Sequence, residues 1–456
     1  MEKISAINNI INGFVWGPYM LVLLIGTGVY MSIRTYFFQV KNFNIWAKLT
    51  YGSMFDKHEK GHNITPFQAV SVALASTIGI GSIAGIATAI VSGGPGALFW
   101  MVVSAFFGMM TKFSEVVLSV YFREKDEKGI HYGGPMYYIE KGLKQKWLSI
   151  LFAIFASIAT FGAGNMTQSN AIAGLLNQTL KLPEYVSGII VAIIVALVLI
   201  GGIKRISSVS EKLVPFMATI YFIASIIILI INFKNIPQAI KLIVSEAFSL
   251  KSAASGITGY AIFIAMRYGI ARGVFSNEAG LGTAPIAHAA SNTNNPIKQG
   301  MWGVFEVFNT LIICLLTGLV IISSDLYLYG NTAADGAVLT SLAFKEAIGI
   351  IGEIVITISS ILFAFSTIIG WSYYGETCLG YLTKRNKIVI MSYKIIFIII
   401  IVIGATSDLK SVWAIADTFN GLMAIPNLIG VILLSPIVIT MVKKYIKNPI
   451  SVELEN

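Results

Sequence analysis

The chain alternates long apolar runs with short polar links from residue 13 nearly to its end. A helix needs about 20 mostly apolar residues to cross a bilayer's hydrocarbon. The pattern predicts eleven such spans: 13–33, 66–91, 97–122, 147–179, 184–202, 213–232, 255–287, 300–324, 347–375, 388–406 and 411–441. Several exceed 25 residues, which predicts tilted or broken helices. Pro215, Pro426 and Pro436 fall inside apolar runs, a placement membrane helices tolerate. The predicted class is an all-α polytopic membrane protein with 11 transmembrane helices, one transmembrane domain over 1–456. Between the first two runs, TYFFQVKNFNIWAKLTYGSMF (35–55) spaces Phe, Trp, Leu and Tyr at helical intervals with lysines between. That spacing predicts a helix lying on the membrane surface.

Two of the runs carry poor helix formers near their midpoints. The second contains STIGIGSIAG (76–85), with Gly79, Gly81 and Gly85. The seventh contains RGVFSNEAGLGTAPIAHA (272–289), where Ser276-Asn277-Glu278 precedes Gly280-Leu281-Gly282 and Pro285. Glycine frees the backbone, and in hydrocarbon every freed N–H and C=O needs a partner. A single Gly-x-Gly in a membrane helix is more often a close helix–helix contact. Here two occur five spans apart, an odd displacement, so the two broken helices enter from opposite faces. This predicts an inverted repeat of five plus five helices (66–232 and 255–441) preceded by one extra helix (13–33). In such folds the unwound segments coordinate the charged groups of a substrate and a cation, which points to a transporter.

Composition and charge narrow the class further. Of 456 residues, 56% are hydrophobic and 12% charged, against about 25% charged in a soluble domain. A net charge of +10 raises the question of nucleic acid, but its distribution answers otherwise. With the first terminus outside, loops 34–65, 123–146, 203–212, 288–299, 376–387 and the C-terminal tail hold 21 Lys and Arg, and the opposite side holds seven. That excess is the positive-inside signature: N-terminus outside, C-terminus cytoplasmic, no nucleic-acid partner. Cys314 and Cys378 lie in or beside apolar runs and form no disulfide or CxxC framework. The N-terminal MEKISAINNIINGF lacks the basic region and cleavage site of a removable signal.

Candidate chemistry concentrates in a few places. In SSILFAFSTIIGWSYYGE (359–376), Ser366 and Thr367 offer adjacent hydroxyls suited to a small hard cation; alternatively they bond back to the preceding turn. Trp371 lies one turn on, on the same face as Thr367, where it walls a small cavity or simply packs. In TFGAGNMTQSNAIAG (160–174), Asn165, Gln168 and Asn170 serve a substrate head group or join helices. The ionisable residues within spans, Lys112, Glu115, Arg267, Arg272, Glu278 and Glu306, read as internal pairs. Lys112 and Glu115 share one helix face, and Arg272 and Glu278 flank the second break. The histidines show no metal spacing and no nucleophile has a base at motif distance, so no enzyme and no cofactor is expected.

Together these segments resemble the alanine or glycine:cation symporter family, whose members have a LeuT-like fold. The resemblance rests on GGPGALFWMVVSAFFGMMTKFSEV (93–116), HYGGPMYYIEKGL (131–143), GNMTQSNAIA (164–173), RYGIARGVFSNEAGLGTAPIAHAA (267–290) and FSTIIGWSYYGE (365–376). It implies inward, sodium-coupled transport of small neutral amino acids across the cell membrane of a prokaryote. The substrates implied are alanine and glycine, with D-alanine as an extension. By position it implies a sodium site of Ala75, Ile78, Phe363, Ser366 and Thr367. It implies substrate contacts from Thr77, Gly79, Gly81, Gln168, Phe275, Ser276, Asn277 and Trp371. Ser82 departs from the Asn usual in the family after the second glycine, which alters the hydrogen bonding behind the site. The competing reading is a carrier of the same fold driven by protons or taking another substrate. A channel would need a continuous ring of pore ligands, which the chain lacks.

Overall fold

The computed structural model describes residues 2–54, 63–248, 260–324, 326 and 336–454. The start of the expected seventh span, 255–259, and the end of the expected surface helix, residue 55, lie outside the described residues. The helices are α1 (Glu2–Val15), α2 (Pro18–Arg34), α3 (Phe38–Lys41), α4 (Phe43–Ser53), α5 (Pro66–Thr77), α6 (Ala84–Gly93) and α7 (Gly96–Tyr121). A hairpin of β1 (Glu124–Lys125) and β2 (His131–Tyr132) leads to α8 (Pro135–Leu143), α9 (Lys146–Phe161) and α10 (Thr167–Leu180). Then come α11 (Glu184–Leu199), α12 (Gly202–Ile231), α13 (Ile236–Ala247), α14 (Tyr260–Asn277), α15 (Ala284–Ala289) and α16 (Pro296–Ser323). The chain closes with α17 (Ala337–Leu382), α18 (Lys387–Ala405), α19 (Leu409–Leu433) and α20 (Ser435–Lys447).

Among the described residues seven helical stretches are long and apolar enough to cross a membrane: Gly96–Tyr121, Lys146–Leu180, Gly202–Ile231, Pro296–Ser323, Val338–Leu382, Lys387–Ala405 and Val412–Leu433. Pro18–Arg34, Ala84–Gly93 and Glu184–Leu199 are apolar but shorter. Local chemistry moves several expected boundaries. The run 13–33 is interrupted before Pro18, and α12 begins eleven residues earlier than its apolar run because the polar 203–212 stretch is already helical. α17 bends where Gly349 takes φ +66, a conformation glycine adopts at little cost. The last run divides at Leu434, after which α20 carries lysines on a polar face. Residues 35–55 form α3 and α4, and α4 docks on α16 through Trp46 and Phe308, ring centroids 5.5 Å apart.

The outer helices present apolar stripes outward. Ile189, Ile193 and Leu197 on α11, and Ile395, Ile399 and Ile403 on α18, are all exposed at one-turn spacing, as hydrocarbon-facing residues are. α5, α6, α14, α15, α7 and α16 pack together inside this shell. α5 starts on a capping box, Thr65 with Gln68, and on Pro66.

One end of the bundle is sealed around the chain that leaves α15. Arg123 donates to the Ser291 carbonyl at 2.8 Å and to the Thr293 carbonyl at 2.7 Å. Its guanidinium fork thereby satisfies carbonyls of the link that follows α15. His131 Nδ1 reaches the Ser291 carbonyl at 3.0 Å, the Asn292 N–H donates to the Ile64 carbonyl at 2.8 Å, and the Leu454 N–H donates to the Asn294 carbonyl at 2.8 Å. Burial, with the Arg123 charge beside it, pushes the His131 imidazole down to about 4. The folded protein therefore holds His131 neutral while an unfolded chain takes up a proton below about 6.5. Stability is then lost as pH falls from about 6.5 toward 4, by at most about 1.4 kcal/mol per pH unit. Thermal unfolding of the purified protein should occur at lower temperature at pH 5 than at pH 7. His131→Gln should narrow that difference; an equal difference in the variant would remove His131 as its source.

Candidate functional site

The site begins where α5 stops. Thr77 is its last residue; Ile78 leaves the helix at φ −82, ψ 67, and Gly79 is extended at φ −108, ψ −163. A short 3-10 turn, Ile80–Ser82, then leads into α6. Every residue from Ala69 to Ala87 is buried, so the freed backbone must find partners inside the protein. The Ile80 N–H donates to Gln168 Oε1 at 3.2 Å, and the Ser82 carbonyl accepts from Thr317 Oγ1 at 2.9 Å. Gln168 stands just past a π-helical turn, Gly162–Met166, and its amide donates to the Ala163 carbonyl at 3.0 Å.

α17 supplies the hydroxyls. Ser366 Oγ donates to the Ala75 carbonyl at 2.9 Å and lies 2.8 Å from the Phe363 carbonyl. Thr367 Oγ1 lies 3.1 Å from the Ala75 carbonyl, 3.3 Å from that of Ser76 and 3.0 Å from that of Phe363. Of the five positions expected to hold sodium, Ala75, Phe363, Ser366 and Thr367 thus meet directly; Ile78 sits one residue past the end of α5, with its N–H on the Leu74 carbonyl. These are hard, neutral oxygens, the donor chemistry a monovalent cation uses. The hydroxyls bond back within α17, as one sequence alternative has it, and they also reach across to α5.

The expected substrate positions fall into neighbouring groups. A Cβ on Gly79 would collide with Thr367 Oγ1 and stand 3.3 Å from Gln168 Oε1. Gly79 therefore lets the α5 break approach α17 and α10. A Cβ on Gly81 would lie 2.8 Å from the Phe275 ring. Ser276 Oγ bonds Ser82 Oγ at 2.7 Å and lies 3.2 Å from Cys314 Sγ, tying the two breaks together. Asn277 Oδ1 accepts the Ala279 N–H at 2.9 Å, stabilising the second break from within. Trp371 is buried and backs onto Gly164 in the π-helical turn. The Thr77 hydroxyl turns back to the Ala73 carbonyl at 3.1 Å.

A cavity of about 540 Å³ reaches the first break, lined by Ile80, Ala84, Asn170, Arg272, Trp413 and Asp417 among others. The expected ion pairs are corrected here. Arg272 engages Asp417 through two hydrogen bonds of 2.9 and 2.7 Å rather than Glu278, and its guanidinium lies 4.8 Å from the centroid of the Trp413 ring. Lys112 pairs with Glu306 at 3.1 Å rather than with Glu115, and Glu306 also takes His288 Nε2 at 3.0 Å. Trp413 and Asp417, one turn apart in the last apolar run, were the missed signal. Among the described residues no group of three His, Cys, Asp or Glu is arranged to hold a metal.

The sequence profile described as the sodium:alanine symporter family matches residues 1–454. The Methanococcus maripaludis protein named sodium/alanine symporter AgcS is 44% identical, over 98% of this chain and 98% of its own. The Bacillus subtilis protein named probable sodium/glutamine symporter GlnT is 35% identical, over 98% of this chain and 92% of its own. A solved structure of a mutant manganese transporter from Eremococcus coleocola has a TM-score of 0.50 at 13% identity, over 85% of this chain and 81% of that one. That last likeness concerns fold alone. A helical membrane protein with this profile match and these relatives is a transporter, and the chain belongs to the sodium:alanine symporter family.

Proposed function

We propose that this protein carries small neutral amino acids, alanine and glycine foremost, into the cell with sodium by alternating access. The observation that carries the reading is the meeting of Ser366 and Thr367 with the Ala75 carbonyl at the end of a broken helix. Sodium replaces the hydroxyl protons as the partner of that carbonyl, with Phe363 and Ile78 carbonyls completing the set. Gly79 is adjacent to Thr367, so an ion and a substrate held by the break share one small region. The substrate's carboxylate and amine meet freed backbone at Thr77, Gly79 and Gly81, with Gln168, Phe275, Ser276, Asn277 and Trp371 around them. The name of the AgcS relative supports sodium and alanine; the apolar runs of the sequence support eleven crossings, one extra helix (13–33) before repeats 66–232 and 255–441. The positive-inside count supports a cytoplasmic C-terminus in a prokaryotic cell membrane.

Small size follows from the walls. The Phe275 ring presses on Gly81 and the buried Trp371 backs onto the π-helical turn, so a methyl fits and a long side chain clashes. Backbone recognition of the head group leaves the hydrogen and methyl of the α-carbon weakly distinguished, so D-alanine competes with L-alanine.

In proteoliposomes, uptake of labelled alanine should require an inward sodium gradient. Thr367→Ala should raise the half-activating sodium concentration about tenfold, or ~1.4 kcal/mol, with less change in alanine affinity at saturating sodium. A sodium curve overlaying the wild type's would remove Thr367 from the site, and uptake indifferent to sodium would remove the reading itself.

Gly79→Ala should abolish alanine binding by forcing Thr367 and Gln168 away from the break. Gly26→Ala, where an added Cβ meets nothing within 4 Å, should leave binding unchanged. Trp371→Ala should admit valine or leucine while weakening alanine, measured by competition. An unchanged substrate range would place Trp371 outside the pocket.

A further inference from the structure

The second break is surrounded by more acidic side chains than basic ones. Glu115 on α7, Glu278 at the break and Glu306 on α16 are all fully buried, with Lys112 beside them also fully buried. Lys112 is committed to Glu306 Oε1 at 3.1 Å. The other Glu306 oxygen receives His288 Nε2, and Gln299 donates to His288 Nδ1 at 2.7 Å. That donation leaves His288 neutral, its one proton facing Glu306. Lys112 reaches Glu115 only through space, with no hydrogen bond to it.

Glu115 has instead a set of neutral partners drawn from separate elements. Its Oε1 meets the Asn427 amide of α19. The same amide nitrogen donates to the Gly280 carbonyl at 2.8 Å, and Asn427 Oδ1 accepts the Tyr138 hydroxyl of α8. Glu115 Oε2 is buried and has no hydrogen-bond partner. A Cβ on Gly282 would lie 2.8 Å from Asn427 Cγ, so the glycines of the break, at φ +93 and +79, let its backbone close on this group.

We propose that Glu115, the Gly280 carbonyl and Asn427 form a second monovalent-cation site, built on the second break as the Ala75–Thr367 site is built on the first. A buried carboxylate with one oxygen lacking a partner is costly unless a positive charge joins it. One carboxylate among neutral oxygens suits a singly charged ion rather than a divalent one. Rotation of the Asn427 amide turns its oxygen to the ion and its NH₂ to the Tyr138 oxygen, so the amide itself keeps a partner at both ends. The ion is sodium or a proton; both supply the one charge the group lacks. Because Gly280 belongs to the broken helix, movement of that helix opens the site and releases its occupant.

The inference rests on the cation-coupled reading above, and the test separates the two. The reversal potential of alanine flux in proteoliposomes, at fixed alanine and sodium gradients, gives the charges moved per alanine. Wild type should move two and Glu115→Gln one. A reversal potential that follows the sodium gradient as two sodium ions per alanine require, and ignores a pH gradient, identifies the second ion as sodium; displacement by a pH gradient identifies a proton. One charge per alanine in wild type, or two in Glu115→Gln, overturns the second site while leaving sodium coupling intact. Alanine flux indifferent to sodium overturns the coupled reading instead. If Glu115→Gln does not fold, the wild-type charge number alone decides.

Discussion

A helix that breaks inside a bilayer must hand its unpaired backbone groups to something other than water. The arrangement around residues 78–83 follows from that constraint. Gln168 takes the Ile80 N–H and Thr317 donates to the Ser82 carbonyl. Ser366 and Thr367 donate to the Ala75 carbonyl from across the helix boundary. The partners come from three different helices, so the break fixes where α10, α16 and α17 must stand. The same requirement makes the region receptive to ligands, because carbonyls satisfied by hydroxyl protons can be satisfied by a cation.

The second break meets the constraint differently. Asn277 closes the chain on itself by accepting the Ala279 N–H, while Asn427 donates to the Gly280 carbonyl. Ser276 and Ser82 join the two breaks directly at 2.7 Å. A displacement of either broken helix therefore strains the other, a physical route by which occupancy at one break reaches the other. The seal of Arg123, His131 and the 449–454 segment around the exit from α15 holds one end of the second broken helix. The opposite end of the bundle has the 540 Å³ cavity beside Arg272 and Asp417.

Much of this was legible in the sequence because it is local. Glycines in the midst of apolar runs announce the breaks, and the adjacent hydroxyls of Ser366 and Thr367 announce oxygen chemistry. Their convergence on Ala75 came from family resemblance, since nothing in the spacing alone joins residues 291 positions apart. Ion-pair partners were the least legible. Lys112 and Glu115 share a helix face, yet Lys112 reaches Glu306 on another helix, a choice set by tertiary packing. Run boundaries failed where polar residues are helical, as in the first turns of α12, or where an apolar run bends without a proline signal, as at Gly349 in α17. The Thr77 side chain, expected at the substrate, folds back on its own helix, the ordinary habit of a threonine in an apolar helix.

The central claim is that sodium takes the place of hydroxyl protons at the Ala75 carbonyl. A structure determined in sodium and alanine, at a resolution that separates an ion from water, tests it directly. The account predicts an ion among the Ala75 and Phe363 carbonyls and the Ser366 and Thr367 hydroxyls, with alanine at Gly79 and Gly81. Alanine bound in that region with both hydroxyls still donating to Ala75 and no ion between them would contradict it.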